Sequence, residues 1–336
     1  MNVTRIAFTD VGKVELESVS CPLPTANQVQ VQLSVSAISS GTERANLSGD
    51  PNISIYGAPD TSFPRHCGYS SSGIVIAVGE KVEDLKVGDR VAVGGSTHCQ
   101  VVNVPRKNVC LLPDGVSFEA AALFYIATFT LGAIRKCRIE LGEPVLVMGL
   151  GILGLLAIPL LRNVGAAPIV VADPIEKKRQ QALSFGADYA LDPTSADFSD
   201  QVKKLTGGGV AAAIEVTGVG AALDRVLDCI KPLGRVALLG CTRNKDFTID
   251  YYRKVHGPGI SLIGAHTMAR PSTESSQGLW TSGDDLRALA TLSACGRLNL
   301  QDFVQEIHSP RDAREVYNRL LNEPGFPIVE FDWRKL

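Results

Sequence analysis

The segment PVLVMGLGILG, residues 144–154, gives the strongest indication of the fold of this chain. Its first half is a short apolar run of the kind that forms a buried strand, and ILGLLAIPLL, which starts within it, has helical character. Between them, glycines at 149, 151 and 154 have the G-x-G-x-x-G spacing. Glycines at this spacing let the backbone approach a pyrophosphate at a helix N-terminus, so the stretch predicts a dinucleotide-binding turn.

An acidic residue completes this motif. Asp173 ends the next strand-like run, PIVVAD, where a carboxylate can accept hydrogen bonds from the ribose hydroxyls of adenosine. The same charge would repel a 2′-phosphate, so NAD(H) is favoured over NADP(H). The basic run of residues 177–179 weakens this preference: Lys178 is a candidate cofactor contact, and a solvated helix face is the alternative.

On either side of this turn, the sequence falls into regions of different pattern, and the first boundary lies near residue 119. Residues 1–118 contain short Val-rich runs separated by Gly, Pro and Asp, which predicts a β-rich domain. Residues 119–270 alternate strand-like and helix-like segments, which predicts an α/β domain with a doubly wound parallel sheet. Residues 271–336 add two helix-like segments and a final strand-like run.

Composition narrows the class of protein. The 336 residues are 45 % apolar and 20 % charged with a net charge of −2, which favours neither disorder nor attraction to nucleic acid or anionic membrane. The N-terminus lacks the apolar core of a signal peptide, and the longest apolar stretch is short and contains Pro159, so we expect a cytoplasmic protein. Its eight cysteines include no C-x-x-C, which favours reduced thiols.

Five segments carry a family resemblance. In order and spacing they resemble the medium-chain dehydrogenase/reductase superfamily of zinc alcohol dehydrogenase type, over essentially the whole chain. They are LKVGDRVAV (85–93), GLGILGLLAI (149–158), FGADYALDP (185–193), AAIEVTGVGAALDRVLDCIKPLGRVALLG (212–240) and GISLIGA (259–265).

The resemblance implies an architecture and a set of cofactor contacts. It implies a GroES-like catalytic domain completed by the C-terminal return, a Rossmann domain, an active site in the cleft between them, and a homodimer or homotetramer built through the nucleotide domain. The implied cofactor contacts are Gly149, Gly151, Ile152, Leu153, Gly154, Asp173, Lys178, Thr217, Gly240, Ala265 and His266.

The chain departs from the zinc branch at the metal ligands. SGTE, residues 40–43, stands where that branch has Cys-Gly-Ser/Thr-Asp, and GYSSSG, residues 68–73, stands where it has Gly-His-Glu-x-x-Gly. Ser40, Tyr69 and, in the run AALFY, Tyr125 therefore occupy the three ligand positions. Serine and tyrosine are poor zinc ligands, and the four-cysteine lobe of the family is missing, so no zinc is expected.

A rival metal site is conceivable at two His-Cys pairs, residues 66–67 and 98–99. Adjacent residues on a strand point to opposite faces, so each pair offers one ligand more easily than two. Packed thiols and loop histidines are the favoured interpretation. The segments GAHTMARP, GLWTSGDDLRAL and IVEFDW resemble instead a zinc-lacking branch that includes bacteriochlorophyllide and aminocyclitol dehydrogenases.

Without zinc, a side chain must move the proton of the substrate oxygen. Thr42, Tyr69 and Tyr125 are the candidate acid/base groups, each with the alternative that its hydroxyl is satisfied by the backbone. Glu43 is expected to orient the others. Ser40 completes the candidate catalytic set.

Two further residues are candidate substrate contacts. Arg270 and Trp280 lie in a segment that can line the substrate cleft, although Trp280 is nearly as well explained as a core residue.

These features predict an NAD(H)-dependent, zinc-independent dehydrogenase/reductase that interconverts a secondary alcohol and a ketone on a polar substrate such as a sugar or cyclitol. The hydroxyl-bearing residues at 39, 40, 42 and 69–72 suit a polyhydroxylated ligand, and GYSSSG also has the composition of a polar turn that enters a strand. Its expected partner is that small molecule, with neither nucleic acid nor membrane. The alternatives are a zinc-free enoyl or quinone reductase, which Asp173 opposes because those enzymes usually prefer NADPH, and a dinucleotide-binding protein without turnover.

Overall fold

A computed structural model of the chain describes residues 1–54, 59–244 and 246–336. The strands are β1 (Asn2–Asp10), β2 (Lys13–Ser20), β3 (Gln28–Ala37), β4 (Ser70–Val78), β5 (Arg90–Gly94), β6 (Val101–Pro105), β7 (Val109–Leu111), β8 (Val145–Met148), β9 (Ile169–Ala172), β10 (Tyr189–Leu191), β11 (Val210–Glu215), β12 (Ile230–Leu238), β13 (Ser261–Gly264), β14 (Glu306–His308) and β15 (Val329–Asp332). The α-helices are α1 (Ser40–Leu47), α2 (Phe118–Ala122), α3 (Phe124–Lys136), α4 (Ile152–Val164), α5 (Glu176–Ser184), α6 (Phe198–Thr206), α7 (Gly220–Cys229), α8 (Ser282–Ala294) and α9 (Ala313–Asn322).

Two compact units divide these elements. Residues 1–126 and 282–336 form the first unit, and residues 127–281 form the second. The first unit is therefore discontinuous in sequence, with the whole second unit inserted between its two parts.

The second unit contains a six-stranded parallel sheet in the order β10-β9-β8-β11-β12-β13. Strands β8, β9 and β11 are buried along their whole length, as expected for a sheet covered on both faces. The strand order reverses between β8 and β11, which is where such sheets bind ligands at the carboxyl ends of their strands. The predicted doubly wound parallel sheet is confirmed.

The first unit is built mainly on antiparallel strands, with one parallel pair, β14 and β15. Its larger sheet has the order β14-β15-β3-β4-β5-β7, with β6 also paired to β3, and β1 and β2 form a separate hairpin. The C-terminal strand β15 pairs with β3 so that Phe331 lies opposite Ser36. Residues from the N-terminal and C-terminal segments, including Phe8, Tyr317 and Phe331, share one apolar core.

GYSSSG differs from its expected role as a turn that enters a strand. Strand β4 already begins at Ser70, and the three serines are at most 1 % exposed. Ser70 donates to the carbonyl of Ala122, Ser71 bonds Ser96, and Ser72 donates to the carbonyl of Phe118. These hydroxyls tie the sheet to its covering segments. The expectation that they face a polyhydroxylated ligand is therefore wrong.

Helix α4 is the apolar segment that follows the glycine turn. It runs from Ile152 to Val164 with Pro159 inside it, and Gly165 ends it in the left-handed conformation. Within the described ranges, no helix is both long enough and apolar enough to cross a membrane.

Candidate active site and dinucleotide cradle

The glycine turn is shaped by two different requirements. A Cβ on Gly154 would lie 1.9 Å from the carbonyl oxygen of Gly149, and one on Gly149, whose φ is +98°, would lie 2.7 Å from a methyl of Thr217. Both glycines are thus required by packing within the protein. A Cβ on Gly151 would meet no protein atom within 4 Å. Open space beside the N-terminus of α4 is what a bound pyrophosphate needs.

The loop after β11 is fixed beside this turn by a buried acid that the sequence analysis missed. The carboxylate of Glu215 accepts hydrogen bonds from the backbone N–H of Thr217 at 2.7 Å and of Gly218 at 3.2 Å, and from the Thr217 hydroxyl. A Cβ on Gly240 would lie 2.3 Å from the nitrogen of Gly218, so the loops after β11 and β12 are in close contact. Burial raises the pKa of Glu215, which the hydrogen bonds partly offset. In the sequence, an acidic residue that ends an apolar run directly before Val-Thr-Gly is the signal that could have identified Glu215.

Asp173 joins the end of β9 to the glycine turn. Its carboxylate accepts the N–H of Leu150 at 2.8 Å and that of Ile175 at 2.9 Å, and the residue is 7 % exposed. Each carboxylate oxygen can accept a second hydrogen bond, so the position fits a ribose hydroxyl. Arg179 donates to the backbone carbonyl of Asp173 at 2.7 Å. Lys178 is half-buried in α5.

The other predicted cofactor contacts also lie in the second unit. Ile152 and Leu153 open α4, and the Leu153 carbonyl accepts the Thr130 hydroxyl at 3.0 Å. Ala265 directly follows β13, and its N–H donates to the Leu238 carbonyl. In His266, Nδ1 accepts the N–H of Met268 at 3.2 Å, and burial, with a smaller effect from Arg243, lowers the pKa of the ring.

Arg270 and Trp280 contact side chains and backbone of the second unit. The Arg270 guanidinium donates to the Thr128 carbonyl at 2.8 Å. The Arg135 guanidinium lies over the Trp280 ring, 3.6 Å from its centroid. Such a stack stabilises the tryptophan without a ligand, and the substrate roles of both residues stay predictions.

In the first unit, hydroxyl groups converge around Tyr69. The half-buried Tyr69 donates a short hydrogen bond to Ser39 Oγ, and its hydroxyl lies 3.4 Å from Thr42 Oγ1. The Tyr125 ring meets the Tyr69 ring edge-on, with centroids 6.0 Å apart. We call Ser39, Thr42, Tyr69 and Tyr125 the hydroxyl cluster. Burial raises the pKa of Tyr69 above its ordinary value despite the opposing hydrogen bonds, so its phenol keeps its proton at neutral pH.

The three positions that the sequence resemblance aligns with zinc ligands carry groups that do not fit that ion. Ser40 opens α1 and is half-buried, and the other two positions carry the phenols of Tyr69 and Tyr125. Zinc sites are made from thiolate, imidazole and carboxylate groups, and none of these three positions supplies one. The hydroxyl cluster therefore offers hydroxyl groups in place of zinc ligands.

The histidines of the two His-Cys pairs have different hydrogen-bond partners. His66 Nε2 lies 3.0 Å from a carboxylate oxygen of Glu17. Both ring nitrogens of His98 have protein partners, and burial raises the pKa of the thiols of Cys67 and Cys99. Over the described parts of the chain, no group of three or more His, Cys, Asp or Glu side chains could hold a metal ion.

Glu43 is fully buried beside the hydroxyl cluster. One carboxylate oxygen accepts the backbone N–H of Ser39 at 2.9 Å. The other accepts the Tyr317 hydroxyl at 2.6 Å and lies 3.1 Å from His98 Nε2. The sequence predicted an orienting role for Glu43, but its distant partners left no sequence signal.

Comparisons with known proteins agree with this architecture. The family described as "Alcohol dehydrogenase GroES-like domain" matches residues 26–138, and the family described as "Zinc-binding dehydrogenase" matches residues 153–280. D-guloside 3-dehydrogenase of Shigella flexneri is 25 % identical over 75 % of this chain and 72 % of its own length. L-threonine 3-dehydrogenase of Pyrococcus horikoshii is 28 % identical over 75 % of this chain and 77 % of its own.

A solved structure shows the same fold. The crystal structure of a protein from Sinorhizobium meliloti 1021, described as a zinc-binding dehydrogenase bound to NADP, has a TM-score of 0.81 at 21 % identity and covers 99 % of both chains. The two family matches, which follow one another along the chain, support its place in the medium-chain dehydrogenase/reductase superfamily. The predicted combination of a GroES-like domain and a Rossmann domain is confirmed.

Proposed function

We propose that the protein is an NAD(H)-dependent, zinc-independent dehydrogenase/reductase that interconverts a secondary alcohol and a ketone. The observation that carries this proposal is the Tyr69 hydroxyl, which is hydrogen-bonded to Ser39 and close to Thr42. The sequence resemblance aligns Tyr69 with a zinc ligand of the zinc branch. The glycine turn, Asp173 and the Glu215 loop would hold the dinucleotide. When bound, the nicotinamide supplies or accepts a hydride.

In ketone reduction, Tyr69 gives its hydroxyl proton to the substrate oxygen while a hydride reaches the carbonyl carbon. The oxygen thus becomes a hydroxyl, and the proton lost from Tyr69 is replaced from solvent. Because burial raises the pKa of Tyr69, its phenol stays protonated through the neutral range. Alcohol oxidation needs the ionised phenol as base, so its rate is expected to rise with pH into the alkaline range while reduction changes little. We therefore propose that reduction is the favoured direction near neutral pH.

The proposed substrate is a polar molecule with a secondary alcohol or ketone. The support comes from the relatives, whose names specify a guloside and L-threonine as substrates of 3-dehydrogenases. We also propose that the protein belongs to the zinc-lacking branch that includes bacteriochlorophyllide and aminocyclitol dehydrogenases. The misfit of Ser40, Tyr69 and Tyr125 to zinc supports it.

Metal analysis and a substrate screen test this function. The purified protein is expected to contain no stoichiometric zinc, to keep its activity in chelator, and to oxidise NADH with ketones of the sugar or cyclitol class. Stoichiometric zinc with loss of activity in chelator would overturn the proposal. NADPH consumption with enones alone would favour an enoyl or quinone reductase. NADH binding without turnover of alcohols, ketones or enones would favour a non-catalytic protein.

Replacement of Asp173 by asparagine is expected to shift cofactor preference. Asparagine keeps an acceptor for the Leu150 N–H and removes the charge that would repel a 2′-phosphate. We expect the ratio of the Kd values for NADPH and NADH, measured by fluorescence titration, to fall by about 10-fold. Asp188→Asn is the matched control, because Asp188 also accepts a backbone N–H, that of Ile169, at the other end of β9. An unchanged ratio in Asp173→Asn would contradict the assignment of NAD.

A homodimer or homotetramer built through the nucleotide domain stays a prediction. Its support is strand β13, the last strand of the six-stranded sheet, where Leu262 is 38 % exposed. An unpaired strand edge with exposed apolar side chains is a surface that proteins usually cover. Light scattering on the purified protein would measure its molar mass, and a monomer would contradict this prediction.

A further inference from the structure

The residue that accepts the Tyr69 hydrogen bond has an unusual role for its position. Ser39 immediately precedes α1, where a serine hydroxyl ordinarily accepts a backbone N–H of the first turn. Here the Ser39 side chain makes no such cap, and its oxygen accepts the Tyr69 hydroxyl instead. Ser39 therefore contributes to the placement of the Tyr69 hydroxyl.

Ser39 is itself held by a buried carboxylate. The Ser39 N–H donates to Glu43 Oε1, while Tyr317 and His98 both bind Glu43 Oε2. Tyr317 comes from α9, and His98 from the segment between β5 and β6. Glu43 thus receives donors from three separate parts of the first unit, which fixes its carboxylate in position.

Hydrogen bonds link Trp333 through Ser36 to His98, and the donor of the first fixes the direction of the series. Trp333 Nε1, which can only donate, binds Ser36 Oγ at 2.8 Å, and Ser36 Oγ lies 2.7 Å from His98 Nδ1. If Ser36 then donates to Nδ1, His98 carries its proton on Nε2 and donates to Glu43. In this arrangement His98 is the Nε2–H tautomer, and each of the donors of Trp333, Ser36 and His98 has one acceptor.

We infer that Ser36, Glu43, His98, Tyr317 and Trp333 form a network that positions the Tyr69 hydroxyl through Ser39, and we call it the carboxylate network. Its five members are at most 4 % exposed, so water does not compete for their hydrogen bonds. They come from β3, α1, the β5–β6 segment, α9 and the residues after β15. This inference rests on the proposed function, because it concerns the placement of the proposed proton donor.

Tyr317→Phe is the sharpest test. Phenylalanine keeps the ring that packs edge-on against Phe8, 4.9 Å between centroids, and removes only the donor to Glu43. We expect kcat for the ketone most rapidly reduced in the screen to fall by about 10-fold with little change in the KM for NADH. Amide hydrogen exchange at Ser39 should become faster, which reports on the network without turnover.

Two sets of control variants distinguish a loss of positioning from a general loss of protein stability. Ser72→Ala removes another fully buried hydroxyl of the same unit, and it should leave kcat and Ser39 exchange unchanged. His98→Gln keeps an N–H donor that can reach Glu43, whereas His98→Leu does not, so the glutamine variant should retain more of the wild-type kcat. This pair also tests the inference if Tyr317→Phe folds poorly.

The double variant Tyr69→Phe/Tyr317→Phe distinguishes the two levels of the proposal. If the network acts through Tyr69, the second substitution should lower kcat no further once Tyr69 is gone. Full activity of Tyr69→Phe would overturn the proposed role of Tyr69 itself. Loss of activity in Tyr69→Phe with unchanged kcat and Ser39 exchange in Tyr317→Phe would overturn only the positioning inference.

Discussion

Replacement of Tyr69 by phenylalanine is expected to lower kcat for ketone reduction by about 10²- to 10⁴-fold, the usual contribution of a positioned proton donor. The substitution removes one oxygen atom and leaves the ring that contacts Tyr125. Since the predicted dinucleotide contacts lie in the second unit, the Kd for NADH should not change. Steady-state kinetics and a fluorescence titration of NADH measure these two quantities.

Tyr125→Phe is the matched control for this prediction. Tyr125 is also half-buried in the first unit and touches the same ring, but its side chain packs over Gly94, where a Cβ would lie 2.2 Å from the ring. We expect less than about a 10-fold loss of kcat in Tyr125→Phe. Equal losses in the two variants would remove the distinction between the phenols. Retention of activity by Tyr69→Phe together with its loss in Thr42→Val would transfer the proton donor to Thr42.

Replacement of Glu330 by glutamine is expected to stabilise the protein at alkaline pH. Glu330 is fully buried on β15, and neither carboxylate oxygen has a hydrogen-bond partner among the described residues. Burial raises the pKa of Glu330 well above its usual range, with the neighbouring charge of Glu119 acting in the same direction. The folded state thus binds a proton that the unfolded chain releases above a pKa of about 4.3.

Binding of this proton by the folded state sets the direction in which stability changes with pH. The contribution of Glu330 to stability is fully present below the unfolded pKa and is lost as pH rises toward the folded pKa. Wild type and Glu330→Gln should therefore have similar free energies of unfolding at about pH 4. As pH rises, the variant should gain up to about 1.4 kcal/mol per pH unit relative to wild type until the folded pKa of Glu330 is reached. Urea unfolding across this range measures the difference.

Asp332 provides a control of opposite sign on the same strand. Burial opposes its ionisation, but hydrogen bonds from Arg334 outweigh burial and lower the pKa of Asp332. Its contribution to stability is present above the unfolded pKa and is lost on acidification. Asp332→Asn should therefore lose stability relative to wild type as pH rises from about 3 to 6. A pH-independent difference between wild type and Glu330→Gln would show that Glu330 is ionised in the folded protein.

The fold could be predicted from sequence because its signals are local. The run of residues 145–148 followed by glycines at 149, 151 and 154 specifies a strand, a turn and a helix within one short segment. Asp173 could be singled out because its place at the end of the next strand is fixed by that unit, and its contact with the cofactor stays a prediction. The serines of GYSSSG were misjudged because a polar run resembles a turn, whereas acceptors such as the carbonyls of Ala122 and Phe118 lie far along the chain.

Residue types at fixed spacing were enough to indicate the superfamily and the glycine turn, and they predict the replacement of the usual zinc ligands. The surroundings of Tyr69 became visible only in the folded chain. Ser39, Glu43 and Tyr317 meet because α9 returns to the N-terminal segment, 274 residues after Glu43. A buried carboxylate needs donors in three dimensions rather than at any spacing along the chain, and so this network becomes visible only after folding.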